Sequence, residues 1–364
     1  MAVLDYLKRM VEDNASDLFI VAGGPVCEKL DSNRMVAIGE KVLPDATREL
    51  ITEIYTLARR EMVEFERRKD DDFSFAVPRE VKSRFRVNTY WQRGSMAAVV
   101  RRIPFNIPEW KDMRIPEQIM DLADETEGMI LITGRAGSGK STTQACLIDR
   151  INHTREAHIV TLEDPIEFLH QDDRSIISQR EVGIDTEDYS SALRACLRQA
   201  PDVILLGEMR DQETIRTAMT AAETGHLVIA TLHTNGAMST INRIVDTFPA
   251  GQQDQIRVQL SMVLRTVISQ QLLPSLTEHR VPAFEIMHMT EAISNKIRDN
   301  KIPTINADID NPVGDKNNPN SRKKTISMYR SLKALYDNGE ITAETALTYV
   351  DEIHKSLLEK QIRR

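Results

Sequence analysis

Cysteine is scarce in this chain: Cys27, Cys146 and Cys196 are odd in number, far apart and in no CxxC pair. That excludes a disulfide frame and gives no four-cysteine zinc site, so each is expected to be a small buried apolar residue in a reducing compartment. Aromatic residues make up only 5%, which leaves no evident stacking platform for single-stranded nucleic acid. Positive charge is not in excess either. The formal net charge is -8 and the sequence pI is about 5.6, so nothing global draws the chain to nucleic acid or anionic lipid, and no nucleic-acid partner is expected. No apolar run approaches the ~18 residues of a bilayer span. Met1 to Ala15 mixes charged with apolar residues at helical spacing, so no direct membrane insertion and a cytoplasmic location are expected. No internal repeat is visible.

What is present is 364 residues, 41% hydrophobic, enough for two or three domains with cores of their own. They are organised around one stretch, Gly134-Arg135-Ala136-Gly137-Ser138-Gly139-Lys140-Ser141-Thr142. It fits GxxxxGK(S/T), with Gly134, Gly139, Lys140 and Ser141 at the defining positions. The apolar run Met129 to Ile132 before it reads as a buried strand, and Thr142 to Ile151 after it as a helix. Strand, loop and helix in that order make a phosphate cradle. Backbone N–H groups from about Ala136 to Lys140 are expected to point at a β-phosphate, Lys140 to reach the β/γ oxygens, and the Ser141 hydroxyl to hold Mg²⁺.

Taken in order, Val3, Leu4, Leu7, Met10 and Val11 share a helical face, and Leu18 to Val21 reads as a strand. Gly23-Gly24-Pro25 turns the chain. A long amphipathic helix is predicted from Pro44 to Glu66. From Asp72 the period becomes two, and from Ser83 to Gln92 it places Phe85, Val87, Thr89 and Trp91 on one face and Arg84, Arg86, Asn88 and Tyr90 on the other. Gly94 turns into a further strand, Met96 to Arg102. Residues 1–103 thus read as a small α+β domain, and Pro104 to Pro108 with Pro116 mark a linker over 104–117. Residues 118–290 alternate strand and helix: Ile159 to Leu162, Tyr189 to Gln199, Val203 to Leu206, Gln212 to Thr224, Leu227 to Leu232. That pattern predicts a mainly parallel α/β sheet with ligands at the carboxyl ends of its strands. Beyond Pro249 the chain reads as helical. Residues 291–364 form a helical C-terminal region with a polar loop at 308–324 and a last helix from Ile341 to about Lys360.

A phosphate loop needs carboxylates beside Mg²⁺ and the attacking water. The strand Val203 to Leu206 ends in Gly207-Glu208; with glycine in the usual Asp position, Glu208 is the expected carboxylate, holding Mg²⁺ through water or polarising the nucleophile. Glu163-Asp164 ends another strand before Pro165, which alone would read as a turn, and the two carboxylates divide roles that sequence does not apportion. His226 and His233 bracket the strand Leu227 to Leu232; His233, at its carboxyl end, is the better candidate for sensing the γ-phosphate or bridging to a neighbour. Arg84, Arg86, Arg93, Arg101 and Arg102 form a basic cluster, solvated or paired with Asp70 to Asp72 in the ordinary case, and arginine fingers acting in trans in the functional one.

Together these stretches resemble the secretion ATPase superfamily and, within it, the type IV pilus retraction ATPases. The likeness is carried by Ala15-Ser16-Asp17-Leu18, Arg84-Phe85-Arg86-Val87-Asn88, the Walker A loop, Leu162 to Glu167 (the family's Asp box), Gln179-Arg180-Glu181-Val182-Gly183, Gly207 to Asp211 (its atypical Walker B), and Ala222 to Leu227 through Thr231 to Thr234 (its His box). The resemblance implies a PAS-like N-terminal domain, a RecA-like P-loop NTPase domain and a homohexamer with ATP bound between domains. It also implies that Arg84 or Arg86 and Arg101 reach the phosphates, that Glu163 and Glu208 are catalytic, and that His226 and His233 form the His box. Its output would be pilus retraction and twitching motility, driven through an inner-membrane platform protein at the inner face of the cytoplasmic membrane, beside a paralogous retraction ATPase in some systems. The missing four-cysteine zinc site separates the chain from extension and type II secretion ATPases. The retraction-associated AIRNLIRE pattern survives in part, as Ala292-Ile293-Ser294-Asn295-Lys296-Ile297-Arg298-Asp299, and Arg135-Ala136 replaces a frequent Pro-Thr. An accessory paralogue, another secretion-type ATPase and a nucleic-acid translocase are the competing readings, the last with no basic channel to support it.

Overall fold

Alternation along one strand organises the first half of the chain. In β5 (Val81–Gln92) Phe85, Val87 and Thr89 are buried while Arg84, Arg86, Asn88 and Tyr90 are half-exposed, as a period of two requires. The computed structural model describes residues 2–30, 34–77, 80–103, 107–277, 280–311 and 324–362. It contains two compact units, Met1–Asn106 with Glu167–Leu169, and Ile107–Ile166 with His170–Arg364.

The first unit runs α1 (Val3–Glu12), β1 (Ala15–Val21), β2 (Pro25–Leu30), β3 (Met35–Lys41), α2 (Pro44–Leu57), α3 (Val63–Arg68), β4 (Asp70–Val77), β5 and β6 (Ser95–Ile103). Its six strands form one antiparallel sheet in the order β3-β2-β1-β6-β5-β4. Val3, Leu7 and Met10 of α1 and Leu50, Ile51, Ile54 and Tyr55 of α2 join the apolar sheet residues in one core. The predicted single helix from Pro44 to Glu66 is two helices. Arg59 takes a left-handed φ of 53°, and the Arg60 N–H reaches back to Tyr55 O at 3.0 Å. Asp71 draws this corner in: it accepts from Tyr55 Oη at 2.9 Å and from Arg60 Nε and Nη2 at 3.0 and 2.9 Å. An arginine at the turn leaves no glycine or proline to announce the break. The strands β2 and β3, not expected from the sequence, extend the sheet past the Gly23-Gly24 turn.

The second unit contains α4 (Glu117–Met120), β7 (Gly128–Thr133), α5 (Lys140–Thr154), β8 (His158–Glu163), β9 (Ile176–Glu181), α6 (Tyr189–Cys196), β10 (Val203–Leu206), α7 (Gln212–Glu223), β11 (Leu227–Leu232), α8 (Ala237–Asp246), α9 (Ala250–Val263), β12 (Leu264–Pro274) and β13 (Arg280–His288). Then come α10 (Glu291–Arg298), α11 (Ile305–Asp310), α12 (Met328–Asp337), α13 (Ala343–Tyr349) and α14 (Glu352–Ile362). The sheet order is β13-β12-β7-β11-β10-β8-β9, parallel throughout except for β13 against β12. β7, β10 and β11 are buried along their whole length, the expected state of parallel strands covered on both faces.

Three expectations change here. The stretch beyond Pro249 is helical only to Val263; it passes without any breaker into β12, with β13 following, so periodicity changes at Leu264 where no residue type marks it. β9 was likewise not foreseen. The last helix is two, parted at the extended Val350, with Asp351 accepting from the His354 N–H at 3.0 Å. Residues 308–310 close α11, and 312–323 of the expected polar loop lie outside the described residues, as do Pro104, Phe105 and Asn106 of the expected linker. Cys146 and Cys196 are buried, and burial pushes their thiols up to about 12 and about 11; Cys27 is only half-buried. Among the described residues no helix is long and apolar enough to cross a membrane.

Two outcomes follow for stability. Phe85 is fully buried, with its ring 5.6 Å from that of Phe75. Phe85→Ala is expected to cost about 3 kcal/mol or more, read as a fall of about two orders of magnitude in amide-exchange protection along β4 and β5. His354 bridges two carboxylates, with Nε2 at 2.7 Å from Asp310 and Nδ1 at 2.7 Å from Asp351. Burial works against its charged form, but the two carboxylates outweigh it and raise its pKa. The bridge therefore stabilises fully below the unfolded value of about 6.5 and is lost as pH rises through the raised folded value. Intrinsic-rate-corrected exchange of the α14 amides should quicken over that rise, and His354→Gln should remove the dependence.

Candidate active site

Register delivers the site. Leu131, Ala230, Leu206 and Leu162 lie side by side across β7, β11, β10 and β8, so these strands end level with one another. One to three residues further on, that shared edge carries Gly134, His233, Glu208 and Glu163. Gly134, Gly137 and Gly139 hold φ of 146°, 74° and 88°, which lets the loop curl before α5 begins at Lys140. A Cβ on Gly134 would stand 2.3 Å from Gln270 O and 2.6 Å from Ser138 Oγ, so only glycine fits. Arg135, Ala136 and Gly137 are exposed at the tip, where side chains matter little and the backbone N–H groups matter most.

Lys140 is buried, and its Nζ donates to Gly134 O at 2.8 Å and Arg135 O at 3.1 Å, with His233 Nδ1 at 3.4 Å. His233 Nε2 in turn lies 3.3 Å from Glu208 Oε1, and Arg210 holds Glu208 Oε2 at 2.7 Å. A continuous polar path therefore joins the loop lysine to the carboxylate after β10. Glu163 accepts from neutral donors, Thr161 Oγ1 at 2.6 Å and Gln179 Nε2 at 3.2 Å. Ser141 and Thr142, in the first turn of α5, are partly exposed. Asp211, the last residue of the stretch that resembles a Walker B, caps α7, accepting from the Thr214 N–H at 2.9 Å.

His226 is at the opposite, amino end of β11, where its Nδ1 lies 2.9 Å from Ala221 O and 3.2 Å from Thr224 Oγ1 at the end of α7. Arg84, Arg86 and Arg101 belong to the first unit; Arg86 forms a bidentate pair with Asp72 at 3.0 and 2.7 Å, and Arg101 Nε lies 2.8 Å from Asp17.

Some residues escaped the sequence reading. Gln270 clasps the loop: its Oε1 accepts from the buried Thr143 Oγ1 at 2.8 Å, and its Nε2 lies 2.8 Å from where a Cβ on Gly139 would be. It sits on β12, a strand the sequence did not announce. Gln179 was visible within a recognised stretch, but its hold on Glu163 was not. Tyr189 places its hydroxyl 2.8 Å from where a Cβ on Gly207 would be, so the usual Asp position is occupied in space and takes glycine.

The residues fit a Mg-nucleotide. The curled backbone opens onto a helix N-terminus that carries about half a positive charge, and the Ser138 hydroxyl, nearly buried, has no hydrogen-bond partner of its own. The oxygens of Ser141, Glu163 and Glu208 are the hard donors Mg²⁺ prefers. Such a site supports phosphoryl transfer to water.

Comparison with known proteins agrees. The family described as Type II/IV secretion system protein matches residues 2–354. The type IV pilus retraction ATPase PilT of Pseudomonas aeruginosa is 43% identical over 304 residues, 83% of this chain and 87% of that protein. PilU of the same organism, a type IV pilus ATPase, is 37% identical over 347 residues, 95% and 87% respectively. Among solved structures, the pilus retraction motor PilT with bound ADP superimposes with a TM-score of 0.89 at 41% identity, covering 99% of both chains. With the phosphate loop, both carboxylates and His233 gathered at one sheet edge, and with likeness along nearly its whole length, this chain belongs to the Type II/IV secretion system protein family and is an ATPase.

Proposed function

We propose that this chain is the motor of type IV pilus retraction, converting ATP hydrolysis into pilin disassembly and hence twitching motility. The observation that carries the reading is the polar path Lys140–His233–Glu208 at the sheet edge, in a chain similar over most of its length to a retraction ATPase. On this reading the first unit is a PAS-like domain and the second a RecA-like one. The working form is a homohexamer, peripheral at the inner face of the cytoplasmic membrane and acting on an inner-membrane platform protein.

The chain's own groups divide the chemistry. N–H groups of residues 136–140 cradle the β-phosphate, and Lys140 swings from the carbonyls of Gly134 and Arg135 to the β/γ oxygens. Ser141 would hold Mg²⁺ directly and Glu208 through water, and the ion when bound would supply positive charge against that which builds on the phosphates. Glu163 and Glu208 share the orientation of water for in-line attack, and His233, tied to both Lys140 and Glu208, senses the γ-phosphate. Arg84 or Arg86 and Arg101 act as arginine fingers in trans, released from Asp72 and Asp17; His226 shapes the amino end of β11. The 95% coverage of this chain by the likeness to PilU supports a second reading, an accessory motor beside a second retraction ATPase.

Purified protein should hydrolyse ATP in a Mg²⁺-dependent way, and Lys140→Ala or Glu208→Ala should lower turnover by about 10²-fold or more. Robust turnover by the Lys140→Ala protein would overturn the reading. Light scattering in Mg-ATP should give six times the chain mass of 41.4 kDa; a monomer under all conditions would remove the ring. In a strain lacking its retraction ATPases, this chain alone should restore twitching, whereas the accessory reading requires the paralogue as well.

A further inference from the structure

The Gly207-Glu208 pair departs from the usual strand-ending carboxylate, and the space beside Gly207 is not empty. Tyr189 is the first residue of α6, set there by the Asp188 cap, whose side chain accepts from the Ser191 N–H at 2.7 Å. Its ring packs against the core under β8 and β10. Its hydroxyl is the nearest atom to a Cβ built on Gly207, at 2.8 Å, ahead of Glu163 Cα and Leu162 O at 3.3 Å. A side chain at 207 would thus start where the Tyr189 hydroxyl ends. Gly207 itself is held on both sides: its N–H donates to Leu162 O at 2.8 Å, and its carbonyl accepts from Thr231 Oγ1.

We propose that Tyr189 is a positioning residue of the hydrolytic site: its hydroxyl stands at the Asp position that Gly207 leaves free, and donates a hydrogen bond that orients the attacking water between Glu163 and Glu208. The surroundings suit a donor. Burial first, then the charges of Asp164 and Glu163, with Glu208 adding and Arg210 opposing, push the phenol well above its ordinary value, so the proton stays on the oxygen across the working pH range. A tyrosine here supplies orientation without a third negative charge between the two carboxylates and the phosphates. The assignment rests on the ATPase reading above.

The test is Tyr189→Phe, which removes one oxygen and keeps the ring that packs. Loss of a single orienting hydrogen bond should lower kcat for ATP about 5- to 10-fold with KM unchanged. A double-mutant cycle reads the geometry without turnover: Gly207→Ala should destabilise the wild type more than the Tyr189→Phe protein in denaturant unfolding, because only the hydroxyl lies within 3 Å of the new Cβ. A kcat equal to wild type, or a fall in kcat with no coupling in the cycle, would overturn the assignment. A coupled cycle in a wild type that hydrolyses no ATP would overturn the ATPase reading itself, and the assignment with it.

Discussion

The close approach of β12 to the phosphate loop is the constraint on which the site depends. Gln270 O leaves no room for a Cβ at Gly134, and the Gln270 amide spans Thr143 on α5 and the backbone at Gly139. A loop of three positive-φ glycines is entropically costly to order, since each glycine gives up more conformational freedom than any other residue. Packing it on a buried strand makes the curled conformation the one that fits. The curl is then set before any anion arrives, so little reorganisation is left for binding.

From that clasp the rest of the edge follows through register. In a parallel sheet the strands end together, so residues distant in the chain arrive at one level without long reaches. Glu163 and Glu208 are set differently there. Thr161 and Gln179, neutral donors, orient Glu163, while Glu208 lies between Arg210 and His233. His233 touches both the lysine of the loop and the carboxylate of β10, which gives a change at the phosphates a direct path to the neighbouring strand end.

Much of this was legible in the sequence. Gly134 to Ser141 has few other structural uses, and the apolar runs Met129 to Ile132, Val203 to Leu206 and Leu227 to Leu232 are all strands, because a strand buried on both faces must be apolar throughout. Period two along Phe85, Val87 and Thr89 sorted the faces of β5 correctly. The misses share one cause. The break after Leu57 and the passage from Val263 into β12 carry no glycine or proline at their borders, and β9 is too short and too polar to show a strand period; contacts distant in sequence decide them, such as Asp71 drawing in Tyr55 and Arg60.

By itself the sequence determined the phosphate loop, its flanking strand and helix, and the carboxylates that follow the neighbouring strands, because a phosphate cradle needs particular residue types at fixed local spacing. Tertiary structure alone decided which candidates meet. It set His233 against Glu208 and Lys140 and left His226 at the far end of the same strand, since position along a parallel strand chooses the edge. It brought Gln270 and Tyr189 to the loop and to Gly207 from strands and helices far along the chain, by close approaches that no local pattern encodes.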